Sequence, residues 1–140
     1  MSSDNGLPLP NRVRELLTGL RIGYISTMRP DGRMSVVPVG VVREGGVLKI
    51  STLSDRQKVR NLESDPRITV CIPDPENARR YVEIRGVAEL ADDDDRAYID
   101  SFAREYMGVD KYPYDPPGAT RTTITVRAER VSMPKVHGSG

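Results

Sequence analysis

Residues 47–72 read VLKISTLSDRQKVRNLESDPRITVCI. An apolar strand, 47–52, ends in Ser51 and Thr52, and a short charged segment follows. Arg56 to Glu63 has the look of a short helix, with Ser54 or Asp55 as its cap and Pro66 helping to end it. A second apolar strand, 67–72, then begins. Arg56, Lys58 and Arg60 fall on about a turn and a half beside the two hydroxyls. The unpaired N–H groups of a helix start, its positive dipole end and converging cations form a site for an anion, phosphate best of all. A solvated surface helix is the plain alternative. There is no Gly-rich phosphate loop, so a nucleoside triphosphatase is not implied.

Upstream, NRVRELLTGL sets Val13, Leu16, Leu17 and Leu20 at helical spacing, with Asn11 as N-cap. RIGYISTM (21–28) and MSVVPVGVV (34–42) read as strands about an Asp-Gly turn at 29–33. With 47–52 they make an antiparallel meander, in which Pro38 marks an edge or bend. Downstream, 73–80 reads as a loop and 81–90 as a strand with a bulge at Gly86. A helix follows over 92–107, carrying Tyr98, Phe102 and Tyr106 on one face and stopping at Gly108. A Pro-rich loop then leads to a last strand, 120–131. Six antiparallel strands with flanking helices predict a mainly β fold, a small barrel with helices outside. The expected core spans 11–131 of a single domain, between polar tails at 1–10 and 135–140.

Composition narrows the function. Apolar residues make up 37% of the 140, aromatics 5%, and there is no Trp, so the core is aliphatic. A net charge of +1 argues against a nucleic-acid or anionic-membrane binder. No apolar run approaches a membrane span, and the start lacks the pattern of a secretory signal. The lone Cys71 cannot form an internal disulfide, which suits the cytoplasm, and it reads as a small core hydrophobe. With one histidine, His137, near the end, neither a metal site nor a Ser-His-Asp triad is expected. Asp92 to Asp95 suit the dipole of a helix start better than a cation. Tyr112 and Tyr114, in the Pro-rich loop, belong at a rim, with structural and ligand-facing roles both open.

The order of RPDGR, VPVG, LKIST, RQKVRNLESDPRITV and YVEIRGVAEL resembles the split β-barrel flavin- and deazaflavin-binding family related to pyridoxamine 5′-phosphate oxidase. That family grips its cofactor phosphate with a Thr ending the third strand and a Lys in a K-x-x-N-L-x-x-[DN]-P segment. Here those are Thr52 and Lys58, with Asn61, Leu62, Asp65 and Pro66 completing the pattern. Similarity runs from about Leu16 to Val131.

The resemblance implies a homodimer with cofactor sites at the subunit interface and a small organic molecule as substrate. The strand at Val37, Pro38 and Val39 would lie along the cofactor ring, largely through backbone. Ser51, Arg56 and Arg60 would assist at the phosphate, while Arg79, Arg80, Tyr81 or the 106–114 loop would complete the pocket from the partner. The short C-terminal region looks more like the actinobacterial branch using coenzyme F-420, with FMN as the alternative cofactor. The implied activity is hydride transfer from reduced deazaflavin to a conjugated double bond, with solvent or Tyr112 as proton donor. An FMN-dependent oxidoreductase and a non-catalytic F-420 carrier are the competing readings.

Overall fold

Alternating β-branched residues build the barrel. Val70 and Ile72, Val82 and Ile84, and Ile124 and Val126 each stand two apart on a strand and are fully buried. Each such side chain contributes about 1.5–3 kcal/mol on leaving water. In the computed structural model, which describes residues 9–134, the chain runs α1 (Asn11–Leu16), β1 (Arg21–Met28), β2 (Met34–Glu44), β3 (Val47–Leu53), α2 (Gln57–Ser64), β4 (Arg67–Asp74), β5 (Asn77–Asp92), α3 (Ala97–Tyr106) and β6 (Arg121–Ser132). The strands close an antiparallel barrel in the order β1-β2-β3-β6-β5-β4. The expected six-stranded, mainly β fold and the β1-β2-β3 meander are both present.

The barrel is unevenly sewn. β3 pairs with β6 along its whole length, from Val47↔Arg127 to Leu53↔Arg121. β2 and β3 share only Val42↔Lys49, Arg43↔Leu48 and Glu44↔Val47. Beyond them the strands part, so among the described residues the edge of β2 from Met34 to Val41 has β1 on one side and no strand on the other. The β1–β4 seam is equally short, Tyr24↔Cys71 to Ser26↔Thr69. Two strands thus face four across two brief seams, and one seam opens into a cleft.

Gly86 sits at a register shift in the β5–β6 ladder, as its expected bulge requires. A Cβ there would lie 2.0 Å from the Arg127 carbonyl oxygen, so only glycine fits. At the β1–β2 turn the Asp31 carboxylate accepts from the Arg33 N–H at 2.9 Å, and Gly32 takes φ +86°.

Several local expectations change. Residues 73–80 are not a loop; β4 and β5 run on into a tight hairpin between Asp74 and Asn77. α1 stops at Leu16, so Leu20 lies outside the helix and is exposed. Its N-cap is Pro10 rather than Asn11, and Leu9, assigned to the polar start, is buried in the core. The remaining tail residues, and His137, lie outside the described residues. Cys71 points away from the core, because the inward positions of β4 are Ile68, Val70 and Ile72. Burial, and then Glu83 opposite it, push its thiol pKa up.

α3 begins at Ala97, because Asp92 still belongs to β5. The buried Asp93 accepts from the Tyr98 and Ile99 N–H groups, both at 2.9 Å. The acidic run therefore serves the helix start. Ile99 and Ala103 are the helix's buried residues, while Tyr98, Phe102 and Tyr106 flank them, half-buried. No helix among the described residues is long and apolar enough to cross a membrane.

Candidate functional site

The end of β3 and the start of α2 lie beside the open seam. Ser54, expected as a cap, instead shares a hydrogen bond with Thr122 at 2.8 Å, and its N–H donates to the Thr120 carbonyl. Asp55 does not cap either; its carbonyl accepts from Arg60 at 2.7 Å. The N-cap is Arg56, which has an extended backbone and no side-chain cap bond. The first N–H groups of α2 consequently have no side-chain acceptor, as an anion site requires.

Lys58 is half-buried in that first turn. Burial lowers its pKa below 10.5, and the nearby charges of Arg56 and Arg121 lower it further. Neither Lys58 nor Arg56 has a carboxylate partner among the described residues. The charges of Arg56 and Arg121 are thus felt at Lys58. A cationic helix start of this kind is complementary to an anion.

Arg121 is the member that sequence reasoning missed. It is only 8% exposed. Its guanidinium forks onto Asp115 at 2.7 and 2.8 Å and donates to Ser51 Oγ at 3.2 Å. The Tyr112 ring lies over it at 4.6 Å, edge-on to Tyr114 at 5.7 Å. Arg96 also donates to Asp115, at 2.9 Å, so two guanidiniums share one carboxylate. Hydrogen bonds from Arg121 hold the Asp115 carboxyl below 3.8. A lone Arg opening a Thr-rich strand was the only signal in the sequence.

The other expected residues divide. Thr52 is buried on the inward face of β3 and Ser51 points outward, so the two hydroxyls serve opposite sides of one strand. Arg60 is committed locally, to the Asp55 carbonyl and to Gln57 Oε1 at 2.9 Å. Asn61 is 0% exposed, so direct contact with a ligand is ruled out. Its amide donates to Thr27 Oγ1 at 3.0 Å and accepts from Gln57 at 2.8 Å, which ties α2 to the barrel. Asp65 accepts a fork from Arg67, which holds its pKa at about 2.

On β2, Val37 and Val39 pack partly against the core and Pro38 faces outward opposite Tyr24. All three lie on the unpaired edge, where the missing N–H of Pro38 costs no ladder bond. Tyr81 is not brought to the others within one chain. It pairs with Pro73, whereas Thr52 meets Thr122, which meets Asp92, roughly 36 Å further along β5 at the usual rise per residue. A cavity of about 200 Å³ lies between β3 and α3, with Gly40 and Ser51 in its lining. Tyr112 forms part of its wall.

Comparison with known proteins agrees with this geometry. Residues 9–134 match the family model described as pyridoxamine 5′-phosphate oxidase. A solved structure named F420 Reductase is 31% identical, with a TM-score of 0.76, over 89% of this chain and 98% of that one. A putative pyridoxamine 5′-phosphate oxidase from Listeria innocua is 16% identical, with a TM-score of 0.68, over 88% of this chain and 95% of its own. A pyridoxamine 5′-phosphate oxidase-related, FMN binding protein from Nostoc punctiforme is 15% identical, with a TM-score of 0.64, over 85% and 77%. These two likenesses concern the fold. No match was found among curated proteins.

Proposed function

Because the chain belongs to the pyridoxamine 5′-phosphate oxidase family, we propose that it is an oxidoreductase working with coenzyme F-420 on a small organic substrate. The observation that carries this reading is Lys58, a half-buried ammonium without an acid partner, beside Arg56 and Arg121 at an uncapped helix start. Lys58, Thr52 and the first N–H groups of α2 would hold the coenzyme's phosphodiester. Arg56 would assist there, and Arg60 would brace the turn from which Arg56 projects.

The unpaired edge at Val37, Pro38 and Val39 would lie along the deazaflavin ring, with backbone N–H groups aimed at the ring carbonyl. When bound, the coenzyme supplies hydride for a conjugated double bond. Tyr112, whose ring lies over Arg121 in the cavity wall, would present the proton.

The working unit in this reading is a homodimer. Support comes from the outer face of β1 and β2, where Ile22, Tyr24, Met34 and Val36 form an exposed apolar strip. Tyr81, remote from Lys58 in its own chain, would then reach the partner's site. An FMN-dependent enzyme of the same fold is the second reading, favoured by the shared phosphate chemistry and by the FMN binding neighbour.

Fluorescence titration with F-420 and with FMN, using wild type and Lys58→Ala, tests the assignment. Preferential F-420 binding that the variant loses is expected. Tighter FMN binding moves the protein to the flavin reading, and binding of neither overturns both. Turnover of an unsaturated substrate with reduced F-420 separates an enzyme from a carrier.

A further inference from the structure

The cavity between α3 and the outward face of β3 has a composition that the phosphate site does not explain. Its volume is about 200 Å³, and its walls include Lys49, Ser51, Tyr98, Phe102, Tyr112 and Arg121. Three aromatic rings and two cations in so small a space make an unusual lining for a mere packing defect. Dry cavities left by imperfect packing are apolar, so it is the two cations and the Ser51 hydroxyl that set this one apart.

Charge accounting fixes the sign of the missing partner. Arg121 and Arg96 together oppose the single carboxylate of Asp115, leaving one positive charge over. Lys49 adds another. Its Nζ lies 6.0 Å from the centre of the Tyr98 ring, and it has no ion pair among the described residues. The acids around the cavity have donors of their own: Asp100 of α3 accepts from the Tyr112 N–H at 3.0 Å, and Glu89 also feels the charge of Lys49. Glu44 accepts from the Tyr98 hydroxyl at 3.2 Å, and Glu89 accepts from Arg127 at 2.7 Å.

Shape fixes the rest. The volume is below the ~300–1,000 Å³ of pockets for drug-sized ligands, which suits a molecule with one ring. Aromatic walls favour a planar, conjugated body that packs ring to ring. A nearly buried guanidinium, already held in place by Asp115, loses little freedom on gripping a carboxylate. Gly40, on the same β2 edge as Val39, is among the residues that line the cavity.

We propose that this cavity binds the substrate, and that the substrate is a planar conjugated carboxylic acid whose carboxylate lies between Lys49 and Arg121. This inference rests on the functional reading above, since it places the acceptor beside the edge assigned to the deazaflavin ring.

Calorimetric titration of the full chain with cinnamate and with methyl cinnamate, each with and without saturating F-420, tests it. The ester keeps the planar body and removes the charge. Lys49→Gln serves as the variant, because Lys49 faces outward and its loss leaves every ion pair of the fold intact. Cinnamate is expected to bind at least tenfold tighter than the ester, Lys49→Gln to remove most of that preference, and F-420 not to displace the acid. Equal binding of acid and ester overturns the proposal, as does a preference that survives in Lys49→Gln. Competitive displacement by F-420 also overturns it, by giving the cavity to the cofactor while the functional reading stands. Failure of F-420 to bind, with the acid preference intact, overturns the functional reading and upholds the acid pocket.

Discussion

Arg121 and Ser51, 70 residues apart in the chain, meet across the β3–β6 ladder, where the guanidinium donates to Ser51 Oγ at 3.2 Å. One side chain thereby joins the Pro-rich loop, through Asp115 and Tyr112, to the strand end that leads into α2. The same charge helps to depress the pKa of Lys58. In the proposed reading, loop position and phosphate affinity would therefore be coupled through a single guanidinium.

Asp115→Asn should expose this coupling. Removing the carboxylate leaves Arg121 and Arg96 close together without their common partner, at a cost of about 3 kcal/mol. In the native protein the Asp115 carboxyl titrates below its ordinary 3.8. Its stabilisation is thus complete above 3.8 and is lost as pH falls through the lowered value. Urea unfolding at pH 7 should show the full difference between wild type and variant, and the difference should close in acid.

In the proposed reading Lys58 carries the pH dependence of cofactor binding. The anion would be held by the ammonium, whose pKa lies below 10.5 because of burial and then of Arg56 and Arg121. Affinity should be greatest on the neutral side and fall as pH rises through that lowered value. Lys58→Met should weaken F-420 binding by roughly 10- to 100-fold, the worth of a charged hydrogen bond. Below the lowered pKa the charged lysine also costs the cofactor-free fold stability, a cost that disappears above 10.5. The variant without cofactor should therefore melt at a higher temperature than wild type at pH 7, as calorimetry can check.

Gly86→Ala tests the barrel itself. A methyl group 2.0 Å from the Arg127 carbonyl forces the two longest strands apart, at a cost of roughly 3 kcal/mol. The expected result is a clear fall in the urea midpoint, whereas Gly32→Ala, which meets no atoms but strains a φ of +86°, should lose less, about 1–2 kcal/mol.

Val36→Glu addresses assembly. Val36 is 63% exposed and Ile22 56%, on neighbouring outward faces. A buried, unpaired charge in such a contact is expensive, so sedimentation should find wild type as a dimer and the variant as a monomer. F-420 affinity should fall with it if the partner contributes to the site. A wild-type monomer would remove the assembly from the functional reading.

Strands and turns were legible in the sequence because their signals are local. The Asp31–Gly32 turn, the bulge at Gly86 and the break at Pro66 each depend on neighbouring residues. The K-x-x-N-L pattern likewise located Lys58, though it did not separate Lys58, open to a ligand, from Asn61, spent inside the fold. Arg121 was invisible for the opposite reason. Its role depends on the β3–β6 register and on a loop returning from α3, and no spacing along the chain encodes either. The hairpin at 73–80 was missed because its Pro and Arg residues mask strands whose pairing is set by the opposite strand.

The open seam bears on how such a protein diversifies. Over Met34–Val41 the second strand spends one edge on the ladder, and the outward-facing Pro38 does little to keep the barrel closed. Mutation can accumulate there at nearly constant melting temperature while changing the surface that a planar ring would meet. The continuous β3–β6 and β5–β6 ladders, by contrast, leave little latitude. Innovation and maintenance thus fall to different strands, and a lineage can exchange one chemistry for another without passing through an unfolded ancestor.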